Sequence, residues 1–281
     1  MIRTPTVFVL GAGASSEFNF PIGWGLLRAV VDDFNIGLQN RKTLKDHFPF
    51  SDVQIDSFRT ALDLSGENSV DAFLEKRRDF MELGKLMTAI VLIGLEKTSK
   101  LFEGSAGENW MRYLLGRMRA PSFQDFHKNE VAFITFNYDR SLEHFLCTTL
   151  ASAYGKTEVE AGEVVKGIPI IHLHGQLGYL PWQQKADNRA YDTKIDKDIL
   201  EMCIREIKVI HEGVEDRKAQ LMRRKDYFMY RIGHILWVWD LTMSIWKDWR
   251  FSSWPITKRG RQRLVLQIWS SLRLQKNILA S

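Results

Sequence analysis

Three apolar runs, each ending on small or polar residues, constrain this chain most. Residues 6–10 lead into Gly11-Ala12-Gly13-Ala14-Ser15, Val131–Phe136 into Asn137-Tyr138-Asp139, and Pro169–Leu173 into His174-Gly175. Continuous apolar runs of this length, bounded by turn residues, read as buried strands. The stretches between them carry helical spacing. A helix is expected from Pro21 to about Phe34, with Leu26, Leu27, Val30, Val31 and Phe34 on one face. Pro suits a first helical turn because its missing N–H would be unpaired there. Residues 40–68 are mixed and polar, which predicts short helices and loops. From Val70 to Leu101 the residues Phe73, Leu74, Phe80, Met81, Met87, Ile90, Val91 and Leu95 recur at helical spacing and read as core. Helices are also expected over residues 108–119 and Arg140–Leu150, with mixed character over Ile199–Ile210. Strands alternating with helices predict an α/β fold. The sheet would be Rossmann-like and mostly parallel, with a helical insertion at about residues 40–125 between the first and second clear strands. In such a sheet the carboxyl ends of the strands share one edge, where ligands bind.

The residues at those strand ends resemble the SIR2 (sirtuin-like) superfamily. The likeness is closest to bacterial SIR2-domain proteins of anti-phage defence, which break down NAD. It is carried by Gly11-Ala12-Gly13-Ala14-Ser15 with Pro21 following, by Thr135-Phe136-Asn137-Tyr138-Asp139, and by His174-Gly175. Ser69-Val70-Asp71-Ala72-Phe73-Leu74-Glu75 is similar to the start of the helical insertion in these proteins. The resemblance covers roughly residues 5–215. It implies NAD as substrate, hydrolysis with release of nicotinamide, and a partner that is a defence-system protein or a second copy of the chain. The chain departs from the pattern in two respects. Deacetylating members carry four zinc-binding Cys, whereas this chain has only Cys147 and Cys203, so no zinc is expected and a protein deacylase is the less favoured alternative. A late strand ending in Gly-x-Gly or Gly-x-Ser is also missing.

Each motif has a chemistry that its residue types allow. Gly11 and Gly13 let the backbone turn tightly and approach a phosphate, and amides in such a turn can face an anion. Position 16 is Ser, so this is not the full G-x-G-x-x-G fingerprint; a purely structural turn is the alternative. Asn137 follows a buried strand and can both donate and accept. It could hold a ribose hydroxyl and orient a water at the anomeric carbon. The nicotinamide–ribose bond breaks with a neutral leaving group, so positioning and charge stabilisation matter more than a strong acid. Asp139 could hold a ribose hydroxyl; a turn with side chain-to-backbone bonds is the alternative. His174 can act as base. His172 lies two residues earlier, on the same face of an extended strand, and is expected to be structural. Thr135 and Gly175 complete the expected binding set. No third ligand stands near the two His to make a metal site. Trp24, Trp110 and Trp182 are large enough to line a nicotinamide pocket, although core burial is the plainer expectation for each.

Charge divides the chain. Residues 217–281 hold 14 Lys and Arg against 3 Asp and Glu, a net of +11, while residues 1–216 hold 25 against 31, a net of −6. The same tail carries 6 of the 9 Trp. The first segment reads as the nucleotide-binding domain and the second as an atypical basic tail. Trp has a single codon, so a shifted frame can be read through this tail. Trp237-Val238 and Trp239-Asp240 must then each spell Gly, and Trp246-Lys247 must spell Glu. A change of reading frame would account for both the bias and the missing Gly-rich strand; a divergent basic tail is the alternative. As written, Trp237 and Trp239 would fill the space that backbone needs beside adenosine, so weak NAD binding is expected. Basic residues elsewhere are scattered among acids, and no nucleic-acid binding is expected. The longest apolar run, Leu86 to Leu95, falls short of the ~20 residues of a membrane span. With no signal peptide visible, a cytoplasmic location is expected.

Overall fold

The computed structural model describes residues 1–36, 38–104, 109–209 and 234–238. It is mixed α/β, with a parallel sheet flanked by helices in Rossmann-like fashion. Among the described residues the strands are β1 (Thr6–Leu10), β2 (Val131–Thr135), β3 (Ile170–His172) and β4 (His234–Val238), in the order β3-β2-β1-β4. Every neighbouring pair is parallel. The register aligns the strand ends: His172 lies opposite Thr135, Thr135 opposite Leu10, and Leu10 opposite Val238. The Gly-rich turn and the Asn137 segment therefore leave the sheet side by side.

β4 falls in the segment that charge sets apart, yet it pairs with β1 along its whole length. A late strand is thus present as written. The glycines expected at its end are not, since Trp237 and Val238 stand there. Trp239 and the later residues, on which the frame-change reading also rests, lie outside the described residues.

Seven helices separate β1 from β2 among the described residues. They are α1 (Gly23–Ile36), α2 (Leu38–His47), α3 (Asp52–Asp63), α4 (Val70–Lys76), α5 (Met81–Leu95), α6 (Thr98–Phe102) and α7 (Trp110–Met118). Next come α8 (Ser141–Tyr154) and α9 (Glu158–Lys166), then β3 and α10 (Lys197–Glu206). Polar caps set many of these starts. Ser51 with Gln54 and Thr157 with Glu160 form reciprocal capping boxes, and Ser69, Asn109 and Asp196 each accept a first-turn amide. The helix expected from Pro21 begins two residues later, at Gly23.

The spacing between Val70 and Leu101 does not make one helix. The chain leaves helical geometry at Arg77 (φ −116°, ψ 69°) and again at Glu96 (φ −66°, ψ 101°). The stripe is nonetheless core: Phe73, Leu74, Met87 and Ile90 are buried. Helix α5 is buried almost all round from Leu83 to Ile93, which only an interior helix can be. Phe8 and Phe133 stack across β1 and β2 with ring centroids 5.2 Å apart, on the face toward the main core. Val7, Val9, Ala132 and Ile171 form a smaller cluster on the other face.

Candidate functional site

The Gly-rich turn is not a loop feeding directly into a long helix. Ala12–Ala14 and Ser16–Phe18 form two successive 3-10 turns, and Asn19 then takes a left-handed conformation (φ 69°). This winding uses up the carbonyls of the turn. Gly11 O accepts from Ala14 N and from Asn137 Nδ2, and Ala12 O accepts from Ser15 N. Gly13 O accepts from Ser16 Oγ, and Ala14 O from the Trp110 indole N–H at 2.7 Å. The first amides of such a turn have no acceptor within it. The turn therefore offers donors rather than acceptors, which suits an anion.

Asn137 is the hub that joins this turn to the end of β2. Its Nδ2 donates to Gly11 O at 2.9 Å and to Ser15 Oγ at 3.0 Å. Because Gly11 O can only accept, the amide orientation follows from the contacts. The Asn137 main-chain N–H donates to Thr135 Oγ1 at 3.0 Å. Ser15 Oγ in turn donates to Asp139 Oδ2 at 2.7 Å, and Asp139 Oδ1 accepts from Ser141 N at the start of α8. Burial pushes the Asp139 carboxyl above the usual carboxylate range, against the hydrogen bonds from Ser141 and Ser15 that pull it down. The Asn137 Oδ1 takes no donor among the described residues. It is the one polar atom of that amide left to meet a ligand.

The two His are placed differently from each other. β3 ends at His172, so strand alternation does not carry through to His174, which lies in a turn. His172 Nδ1 is 2.8 Å from Asn137 O, and its Nε2 is 2.7 Å from Glu143 Oε1. Burial, the largest single influence, favours a neutral ring, but Glu143, the Asn137 carbonyl and Asp139 together outweigh it and hold the His172 pKa above its usual value. The His174 ring packs tilted against Phe136 and edge-on to Tyr138, with centroids 5.6 and 6.4 Å away. Tyr138 donates its hydroxyl proton to Asp71 of α4 at 2.6 Å.

Gly175 has a packing explanation of its own. It sits at φ +74°, and a Cβ there would lie 1.8 Å from Glu206 O. The neighbouring His174 O accepts from Lys208 N at 2.8 Å. This glycine lets the segment after α10 cross the strand end. Pro21 packs beside Gly25 at the start of α1.

A small cavity lies where these elements meet. Ser15, Thr135, Asn137, Asp139, Glu143 and His172 line it, together with Ala14, Trp110 and four apolar side chains. Gly11, Gly13, Pro21, His174 and Gly175 do not. Its space is about that of one water molecule. The three Trp diverge: Trp110 lines the cavity, Trp182 is buried against Gly162, and Trp24, expected in the core, is 61% exposed.

A second buried polar cluster escaped the sequence reading. Glu96 takes two hydrogen bonds from Arg140 (3.1 and 2.8 Å) and two from Arg189 (2.6 and 2.9 Å). The three side chains are 0%, 1% and 2% exposed. The carbonyls of Leu177, Tyr179, Arg189 and Ala190 take further guanidinium protons. The signal available was a charged residue directly after the apolar run from Leu86 to Leu95. The partners, 44 and 93 residues away, are not visible from spacing. Glu143 was missed for the same reason.

Among the described residues no group of three or more His, Cys, Asp and Glu is placed to hold a metal ion. Cys147 and Cys203 are buried free thiols, and burial pushes Cys147 up to about 12. None of the described helices is long and apolar enough to cross a membrane. Comparison of the chain with protein-family models, curated proteins and solved structures finds no match.

Proposed function

We propose that this chain carries a site that hydrolyses NAD at the nicotinamide–ribose bond, in the manner of SIR2-like proteins of bacterial antiviral defence. The observation that carries the reading is the Asn137 hub. One amide ties Gly11 to Ser15 across the anion-suited turn at the end of β1, whose Ser15 hydroxyl donates to Asp139, and keeps its oxygen for a ligand. In this reading the turn from Gly11 to Ser15 holds the pyrophosphate. Asn137 Oδ1 accepts a hydrogen bond from the attacking water. As the C–N bond breaks, nicotinamide leaves neutral with the bonding pair, and water oxygen bonds to the ribose carbon. The proton it sheds has an acceptor in Asp139, reached through the Ser15 hydroxyl. His174, which the resemblance makes the base, lies off the cavity lining. The partner in this reading is a defence-system protein or a second copy of the chain, and the setting is the cytoplasm.

The size of the cavity favours a second reading, that of a nucleotide-binding or inert remnant. As it stands the cavity has space for about one water, far less than a dinucleotide fills. Nicotinamide release from millimolar NAD separates the two. Release that Asn137→Ala abolishes supports hydrolysis; no release by the unaltered chain supports the remnant. Abolition by His174→Ala, with the fold retained, would return the base role to His174.

A further inference from the structure

His172 has an acceptor on each side. Nε2 lies 2.7 Å from the Glu143 carboxylate of α8, and Nδ1 lies 2.8 Å from the main-chain carbonyl of Asn137. A carbonyl oxygen has no proton to give, and an ionised carboxylate has none either. A neutral imidazole carries a single N–H and would set a lone pair against one of these oxygens. Both contacts are direct and both side chains are nearly sealed, at 6% and 4% exposure, so no water fits between the paired atoms to relieve the mismatch. One alternative satisfies the geometry: a protonated Glu143 donating to a neutral ring. Among the described residues Asp139, after β2, is the other acidic group lining the same cavity, and its charge favours the proton on His172.

We infer that His172 is a doubly protonated imidazolium that acts as a positioning residue, clamping the main chain of Asn137 to Glu143. The inference rests on the proposed role of Asn137 for its functional meaning, though not for its structural content. Asn137 is then held on three sides. Thr135 Oγ1 takes its N–H, the imidazolium donates to its C=O, and Gly11 with Ser15 take its amide protons. Only Oδ1 remains, fixed in direction before any ligand arrives. Such preorganisation is what a water-orienting group needs, since a displacement of about 1 Å can cost about 10²-fold in rate. Two residues from the expected base, the chain thus uses a His for its charge and its two donors. It does not use that ring to take a proton.

Nitrogen NMR of the intact chain with 15N-labelled His tests this without reference to turnover. At neutral pH both His172 nitrogens should show a directly bonded proton, assigned by loss of the signals in His172→Gln. In Glu143→Gln the Nε2 proton should be lost at the same pH. Nicotinamide release by that variant should fall about 10²-fold in kcat with little change in KM. A wild-type Nε2 with no bonded proton would overturn the inference, whatever the chain does to NAD. So would a doubly protonated ring that persists in a folded Glu143→Gln. If Glu143→Gln does not fold, the wild-type spectrum decides alone. If the spectrum is as expected and no nicotinamide is released, the NAD reading fails and the clamp stands.

Discussion

Asp139 and Arg140 are adjacent in the chain, yet they serve two different buried polar clusters. Arg140 joins Glu96 and Arg189 in a cluster whose guanidiniums are met by carboxylate and carbonyl oxygens and, at Arg189, by the Cys203 side chain. Asp139 joins Ser15, Asn137, His172 and Glu143 around a cavity, in a cluster that leaves the Asn137 amide oxygen over. A fully satisfied cluster adds rigidity and has nothing to offer a ligand. A cluster with one acceptor left at a cavity does. The first ties the end of α5 and the 177–190 segment to the start of α8. The second sits on that support.

Removing a charge should therefore separate the two by stability. Glu96→Gln leaves two buried guanidiniums without a carboxylate and should cost about 3–5 kcal/mol in denaturant unfolding. A loss below 1 kcal/mol would mean the Arg side chains find other partners, and the two clusters would no longer differ in kind. Gly175→Ala sharpens the boundary between packing and ligand roles. The left-handed backbone alone should cost about 1–3 kcal/mol, and the clash with Glu206 O adds to it. A variant as stable as wild type but unable to bind nucleotide would return Gly175 to the site.

Acid should strain the region near the satisfied cluster. His144 stacks on Tyr191 with centroids 4.3 Å apart. Burial, with Arg140 nearby, holds its pKa down at about 4 against an ordinary 6.5. Between these values the unfolded chain binds a proton that the folded chain refuses, so the stability His144 contributes is full above pH 6.5 and lost as pH falls toward 4. His144→Phe should flatten that slope in unfolding curves taken at several pH values. An unchanged slope would show that His144 titrates normally. The smallest stability effect belongs to the cavity: Asn137→Ala should cost only about 1 kcal/mol. A loss as large as that of Glu96→Gln would make Asn137 a structural residue.

The parts of this architecture that sequence made legible share one property: they depend on neighbours in the chain. The three strands show because apolar runs stop at Gly11, Asn137 and His174. The alignment of their ends follows from a parallel sheet. The helices after Pro21, over 108–119 and after Arg140 show for the same reason, whereas α9 went unread. What stayed hidden depends on partners far away. Glu96 looks like a helix-end charge until Arg140 and Arg189 arrive from elsewhere. Trp24 and Trp182 look alike as aromatics, yet one is exposed and the other packs on Gly162. The shared face expected for His172 and His174 assumed a longer strand, and β3 stops at His172. Gly175 stood out as a glycine, but its reason lies in the backbone of Glu206. β4 was obscured by composition, since a basic, Trp-rich segment does not advertise a strand that pairs with β1.

The central claim is that the Asn137 cluster, unlike the Glu96 cluster, does chemistry on NAD. Its most direct test is nicotinamide release from millimolar NAD by the 281-residue chain and by Asn137→Ala, with folding of both checked by thermal unfolding. The account predicts measurable release by the unaltered chain, reduced at least 10²-fold in the variant while both stay folded. No release by the folded, unaltered chain, or equal release by both, would contradict it.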